Sequence, residues 1–273
     1  MNFESIAYET TDGVARLTLS RPARTNALSA AMLDEINRAM DMAEADEGVR
    51  AVIVTGAGTA FSSGFDLKEQ MERKPTGFEQ WEPLLRKDFD AVMRFWHCPK
   101  PTIAAVRGPC LAGAFELALA CDMTIASETA FFGEPELKFG AGIVVMLLPW
   151  LVGPKLAKEI IFMGEDRVSA TRARELGIVN RIVPDDALEH EARAMARHLC
   201  AIDPNLLKQT KRAINQTLER QGLLDALEAA LAIDLEIEGP GSSDKIAFMT
   251  VARASGLKAA LAWRDARFAK APR

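Results

Sequence analysis

Apolar and polar positions alternate at the start of the chain: Ile6 and Tyr8, then Asp12-Gly13, then Val14, Leu17 and Leu19. Two such runs flanking Asp-Gly predict a β-hairpin. The period then changes. Met32, Leu33, Ile36, Met40 and Ala43 recur at helical spacing behind Ser29, which predicts a helix capped by that serine and running to about Glu47. Residues 51–54 are short, apolar and β-branched, the pattern of a buried strand feeding Gly56-Ala57-Gly58. Residues 67–83 read as polar and irregular, with helix resuming over 84–96 until Pro99 and Pro101 break it. Residues 102–106 predict the next buried strand. After Arg107-Gly108-Pro109, Gly113 opens an apolar helix to Ala120, and 122–126 predict a third strand.

Beyond Pro154 the pattern is helical, over 155–163, 170–176, 186–199, 205–219 and 223–238, with a terminal pair after Ser243. Residues 178–183, closed by Pro184, predict one more strand. Strands alternating with helices and then helices alone predict an α/β core over 1–185 and a helical region over 186–273. Gly239-Pro240-Gly241-Ser242-Ser243 is the clearest linker-like break, and no fixed-period repeat or low-complexity tract interrupts the pattern.

Composition narrows the function. Hydrophobic residues at 49% in 273 positions supply a real core and exclude a disordered or fibrous chain. The 33 Lys and Arg against 38 Asp and Glu leave a net charge of −5, without the basic footprint that nucleic acid requires. Cys98, Cys110, Cys121 and Cys200 have neither disulfide-framework nor zinc spacing, so no metal is expected. Met1-Asn2-Phe3-Glu4-Ser5 is polar and acidic rather than basic and then apolar, which predicts no secretory leader. The longest uncharged apolar stretch, 139–153, is shorter than the roughly 20 residues of a membrane helix. A reduced, cytoplasmic protein is the expectation.

Candidate motifs divide quickly. Gly56-Ala57-Gly58-Thr59-Ala60-Phe61 has Phe61 where a dinucleotide fingerprint needs its third glycine. His190 and His198 share one charged helix and His97 ends another, which gives a serine–histidine mechanism little support. Two segments carry more: 60–67, containing Ser63, Gly64, Phe65, Asp66 and Leu67, and 108–116, containing Gly113 and Glu116. Each sets a glycine in or beside a turn after a buried strand, where a backbone N–H can face a ligand. In the second, that N–H points out of a helix N-terminus. Two such donors converging on one carbonyl would form an oxyanion hole. Glu116 falls in the first turn of the helix, where an acid also complements the dipole. Asp66 suits a helix N-cap.

Arg21-Pro22-Ala23-Arg24-Thr25-Asn26-Ala27-Leu28, the 61–67 segment, 108–122, and Phe132-Gly133-Glu134-Pro135-Glu136 occur in an order and spacing that resemble the crotonase (enoyl-CoA hydratase/isomerase) superfamily over about residues 10–185. The resemblance implies a ββα spiral core, a C-terminal helical trimerisation region, and a homotrimer or dimer of trimers. It implies that the N–H groups of Phe65 and Gly113 form the oxyanion hole and that Glu116 and Glu136 are the catalytic glutamates. It also implies that Arg24, Ser63, Asp66 and Leu67 bind substrate, and that coenzyme A enters only as part of an acyl-CoA substrate, with no separate cofactor. The reaction implied is reversible hydration of a 2-enoyl-CoA. Isomerisation of a 3-enoyl-CoA, other acyl-CoA thioester chemistry and non-catalytic acyl-CoA binding remain as alternatives. After Glu136 the family's glycine-rich run is replaced by 138–148, Lys-Phe-Gly-Ala-Gly-Ile-Val-Val-Met-Leu-Leu, where a bulkier helix start is expected to reshape the acyl pocket. Ala247-Phe248 and the extension over 258–268 also depart from the family pattern.

Overall fold

The structure is a computed structural model that describes residues 3–269; Met1 and Asn2 of the polar N-terminal segment lie outside it. Strands β1 (Ile6–Thr11) and β2 (Val14–Leu19) pair antiparallel across Asp12 and Gly13. Their φ values of 52° and 78° are the two positive angles a tight hairpin turn needs. Helix α1 (Ala30–Ala45) begins at Ser29, whose hydroxyl accepts from the Met32 N–H, and buries Met32, Leu33, Ile36, Met40 and Ala43. Glu35 on the same face is buried as well. Its carboxylate accepts from the N–H groups of Glu4, Ser5 and Ile6 at 2.8, 2.8 and 3.1 Å, fastening the N-terminal strand to the helix.

Strand β3 (Ala51–Gly56) lies parallel to β2. The segment after it corrects the expectation of a loop over 67–83. Helix α2 (Leu67–Arg73) starts at Asp66, and α3 (Gly77–His97) runs straight through Pro83. A proline normally ends a helix because it strands the carbonyl four residues back. Here that carbonyl belongs to Glu79, which is exposed, so water can take the bond.

Strands β4 (Thr102–Val106) and β5 (Pro109–Leu111) lead into α4 (Gly113–Ala120), and β6 (Met123–Ser127) and β7 (Phe131–Gly133) follow. Next come α5 (Leu148–Val152), α6 (Pro154–Phe162), β8 (Val168–Ser169), α7 (Ala170–Glu175) and β9 (Arg181–Val183). The strand expected over 178–183 is limited to its last three residues. One six-stranded sheet has the order β1-β2-β3-β4-β6-β9, parallel beyond the first hairpin, and a smaller sheet has the order β5-β7-β8. Two successive passes, β4–β5–α4 and β6–β7–α5, therefore send a long strand into the main sheet, a short one into the second, and then a helix. This is the ββα spiral that the resemblance implied.

Helices α1, α3 and α4 fill one side of the main sheet with a large apolar core. The other side is covered by α8 (Leu188–Cys200), whose Leu188, Ala192 and Ala196 pack on Val14, Ile53, Ile103, Ala105 and Ile125. Helix α9 (Pro204–Glu219) follows, and α10 (Leu223–Glu238) lies along α3. The break at 239–242 is a tight turn, after which α11 (Ser243–Ser255) and α12 (Leu257–Phe268) return to the body. There Phe248, Met249, Ala252 and Ala260 close on Phe139, with Leu67 and Met71 beside them. Among the described residues no helix is long and apolar enough to cross a membrane.

Asn26 holds the loop between β3 and α2. It is buried at a φ of 52°, its Oδ1 accepts from the Arg21 N–H at 2.9 Å, and its Nδ2 donates to the carbonyls of Ala57, Ala60 and Phe61 at 2.9, 2.9 and 3.2 Å. Asn26→Ala leaves these buried groups unpaired and is expected to lower the unfolding free energy by about 2–4 kcal/mol. Asn26→Asp, which turns a carboxylate oxygen toward the three carbonyls, is expected to cost at least as much. Urea midpoints for the two variants check both values.

Candidate active site

Two loops meet where the sequence places its paired glycines. In the first, the Leu28 N–H donates to the Gly64 carbonyl at 2.8 Å and the Asp66 N–H donates to the Leu28 carbonyl at 3.0 Å. Phe65 lies between those bonded residues, so its own N–H faces the other way. In the second, the Ala112 N–H is tied to the Gly133 carbonyl at 2.9 Å, and Ala112 adopts φ 56° and ψ −139°. Such a conformation costs a non-glycine residue on the order of 1–3 kcal/mol, and it turns the chain directly into Gly113, the first residue of α4. A Cβ on Gly64 would stand 2.6 Å from the Ala112 Cβ and 3.2 Å from the Gly113 nitrogen, and one on Gly113 would overlap the Phe65 ring. Only glycine at both positions allows this approach. Among the described residues, neither the Phe65 nor the Gly113 N–H has a protein acceptor.

Helix α4 is buried along its whole length, the expected state of a helix apolar on all sides. Its one charged residue, Glu116, is 1% exposed. Phe115 packs on Phe132 with ring centroids 5.5 Å apart, which brings Glu116 against the end of β7 and the Glu134–Glu136 turn beyond it. Ligand oxygens of Glu116, Glu134 and Glu136 lie within 4.8 Å of one another. The Val144 N–H donates to the Glu116 carboxylate at 3.2 Å, while one oxygen of each glutamate is buried without a partner.

Burial raises all three carboxyls, and mutual repulsion adds to the effect at Glu116 and Glu134. For Glu136, desolvation brings the pKa to about 8. The chemistry of three buried carboxyls with raised pKa values suits the sharing of protons.

A cavity of 480 Å³ adjoins this cluster, lined by Arg24, Ser63, Phe65, Asp66, Leu67 and Glu136 among others. Arg24 is exposed, as a group reaching for solvent-side charge would be. Asp66 accepts from the Lys68 and Glu69 N–H groups and pairs with Arg21 at 2.8 Å, so its carboxylate is occupied with capping α2. Glu116 and Gly113 are not in the cavity lining: Glu116 stands behind Glu136, and Gly113 lies beneath the Phe65 ring.

The segment after Glu136 is not the helix start expected for 138–148. A short 3-10 turn, Glu136–Phe139, ends at Gly140 with φ 79°, and helix returns only at Leu148. Released from a helix, the Val144 N–H is free to bind Glu116. Sequence reasoning also passed over Glu134, which has the same residue type and motif as Glu136 and becomes distinct only through burial. Trp81, Asp88, Asp234 and Lys245 line the cavity too, brought in from α3, α10 and α11.

The family model described as enoyl-CoA hydratase/isomerase matches residues 9–237. The chain belongs to the enoyl-CoA hydratase/isomerase family. It is 34% identical over 245 residues to a short-chain-enoyl-CoA hydratase of Clostridium acetobutylicum, covering 88% of this chain and 90% of that protein. Among solved structures, an enoyl-CoA hydratase/isomerase from Xanthobacter autotrophicus Py2 is 73% identical, with a TM-score of 0.97 over 97% of this chain and 99% of that one. An enoyl-CoA hydratase from Mycobacterium smegmatis is 26% identical, with a TM-score of 0.90 over 97% and 94% of the two chains. The crotonase-type fold is thus shared across a wide range of identity, and family membership makes this chain an enzyme of acyl-CoA thioester chemistry.

The acid cluster has a thermodynamic signature. Glu136 has an ordinary pKa of 4.5 and a folded value of about 8. Between them the folded protein holds a proton that the unfolded chain releases. This contribution to stability is full below about pH 4.5 and is lost as pH rises toward 8. Glu136→Gln removes that dependence. Its Tm relative to wild type is therefore expected to rise steadily from pH 5 to pH 8, which calorimetry at several pH values would read; parallel pH profiles would contradict the assignment.

Proposed function

We propose that the protein catalyses reversible addition of water to a 2-enoyl-CoA, with Glu116 and Glu136 as the acid–base pair and the N–H groups of Phe65 and Gly113 as the oxyanion hole. Coenzyme A enters as part of the substrate, and no separate cofactor takes part. The observation that carries this reading is the juxtaposition of two unbonded N–H donors with two buried carboxyls beside one cavity.

A thioester conjugated to a double bond is electrophilic at C3, but attack there places charge on the thioester oxygen. Fixed donors aimed at that oxygen are worth about 3 kcal/mol each in a site closed to water. The acid pair then works as a unit. Full ionisation is opposed by burial and repulsion, so near neutral pH the pair retains a proton that can be delivered to C2, while an ionised carboxyl removes one from water as it attacks C3. Arg24, Ser63 and Leu67 bind the CoA portion near the cavity mouth, with Asp66 shaping that loop through its cap.

One observation favours a second reading. Glu136 lines the cavity and Glu116 does not, an arrangement that also suits a single acid moving a proton between C2 and C4 of a 3-enoyl-CoA. The two reactions have opposite optical signs. Crotonyl-CoA loses its conjugated-thioester absorbance on hydration, whereas a 3-enoyl-CoA gains it on isomerisation. Wild type is expected to bleach crotonyl-CoA, and Glu136→Gln to lower kcat by about a hundredfold or more. Full activity in Glu136→Gln would end both readings. The pH profile of kcat/KM is expected to be bell-shaped, with an alkaline limb near the Glu136 value of about 8.

The helical region over 186–273 is proposed to assemble the protein into a homotrimer or a dimer of trimers. Its support is α9, which buries no residue within the chain and exposes Leu206 and Ile214 at 60% and 62%. Light scattering should return three or six times the 29.8 kDa chain mass, and a monomer would contradict the proposal.

A further inference from the structure

We infer that the cavity contains a polar subsite, centred on the Asp234 carboxylate, for an acyl group that carries a hydrogen-bond donor at its far end. The inference rests on the acyl-CoA reading above and specifies its acyl class.

A pocket for a plain alkyl chain is lined by hydrocarbon, with polar groups only where they orient the ligand. Part of this wall is of that kind: Leu85, Ala141, Val144, Leu257 and Leu261. Among them stands Asp234 of α10, which is 2% exposed and has no hydrogen-bond partner on either carboxylate oxygen among the described residues. The cation facing it, Lys245 of α11, is already engaged. Its Nζ binds the buried Glu238 carboxylate and lies 4.2 Å from the centroid of the Trp81 ring. Glu238 also accepts from the Gly142 N–H at 3.4 Å. Lys245, itself lowered by burial to a pKa of about 7, gives its hydrogen bond to Glu238 and attracts Asp234 only through space, so neither Asp234 oxygen receives a donor. Asp88 of α3 contributes a second acid to the lining, and its neighbour Lys87 is occupied by Asp34 at 2.7 Å. With a pKa near 6, Asp234 remains an acceptor at neutral pH.

Position ties this carboxylate to the reacting end. Gly142 packs so closely on Asp234 that a Cβ there would overlap its Oδ1. Two residues on, Val144 holds Glu116. Asp234 therefore borders the segment that supports the acid pair. An acyl chain seated with its thioester at Phe65 and Gly113 and its C2–C3 bond at Glu136 continues along that segment. A hydrocarbon terminus would leave the Asp234 carboxylate dry and unpaired, whereas a hydroxyl or an ammonium would satisfy it.

Binding of saturated analogues tests this without turnover. Titration calorimetry on the full-length protein would compare 6-hydroxyhexanoyl-CoA and 6-aminohexanoyl-CoA with heptanoyl-CoA, in which a methyl replaces the donor. At least one donor analogue is expected to bind about tenfold or more tightly than heptanoyl-CoA, and Asp234→Leu is expected to reverse that order. Asp234→Asn, which keeps the shape, is expected to lose any preference for the ammonium over the hydroxyl. Heptanoyl-CoA binding as tightly as both donor analogues in wild type overturns the subsite whether or not the variants fold. Crotonyl-CoA turnover reads the catalytic proposal separately. Turnover without donor preference leaves the enzyme reading standing and removes the subsite; donor preference without turnover of any enoyl-CoA does the reverse.

Discussion

Carboxyl groups forced out of water shape this molecule. Glu116, Glu134 and Glu136 sit within 4.8 Å of one another with one oxygen of each unpartnered. Three charges at that spacing in an apolar interior would repel strongly, so the cluster must keep protons that free carboxylates would lose. That retained proton is what acid–base chemistry on a thioester needs. The surrounding fold can be understood as the frame that prevents these groups from relaxing into solvent.

The frame is built from backbone rather than from side-chain bulk. The spiral sends β4 into β5 and β6 into β7, so these two long strands each end at a short one that turns the chain sharply. At one such corner Ala112 adopts a positive φ, and at another the Gly133 carbonyl accepts from the Ala112 N–H at 2.9 Å. Asn26 and Asp66 spend their polar groups holding the facing loop. The result is a pair of N–H groups fixed beside the acids, with the cost of ordering them met during folding rather than at the moment of reaction.

Much of this could be read before any coordinates. The Asp12-Gly13 hairpin, the Ser29-capped helix and the parallel strands follow from alternation, capping and β-branched runs, because each signal is local. The four motif segments placed Phe65, Gly113, Glu116 and Glu136 near one another by resemblance, and the geometry brings them together. What escaped was non-local. Pro83 reads as a breaker unless the exposure of the Glu79 carbonyl is known. Glu134 differs from Glu136 only in its surroundings. Asp234 and Lys245 belong to helices whose pattern says nothing about which residues face a cavity formed more than a hundred positions earlier. The 138–148 segment looked helical because its residues are apolar, but Gly140 ends the short 3-10 turn and the hydrogen bond from the Val144 N–H to Glu116 draws the following backbone out of helical pairing.

The turn at 239–242 has a consequence for how the site is distributed along the chain. Leu257, Leu261 and Arg264 form part of the same wall as Arg24 and Ser63, so the cavity is closed by α12 together with loops that lie far earlier in the chain. The sheet strands and the three clustered glutamates all precede α11 and α12 in the chain, so the acid cluster does not depend on those helices for its residues. The helices that close the cavity also stand outside both sheets, so the lining can change while the strands and the glutamate cluster stay as they are.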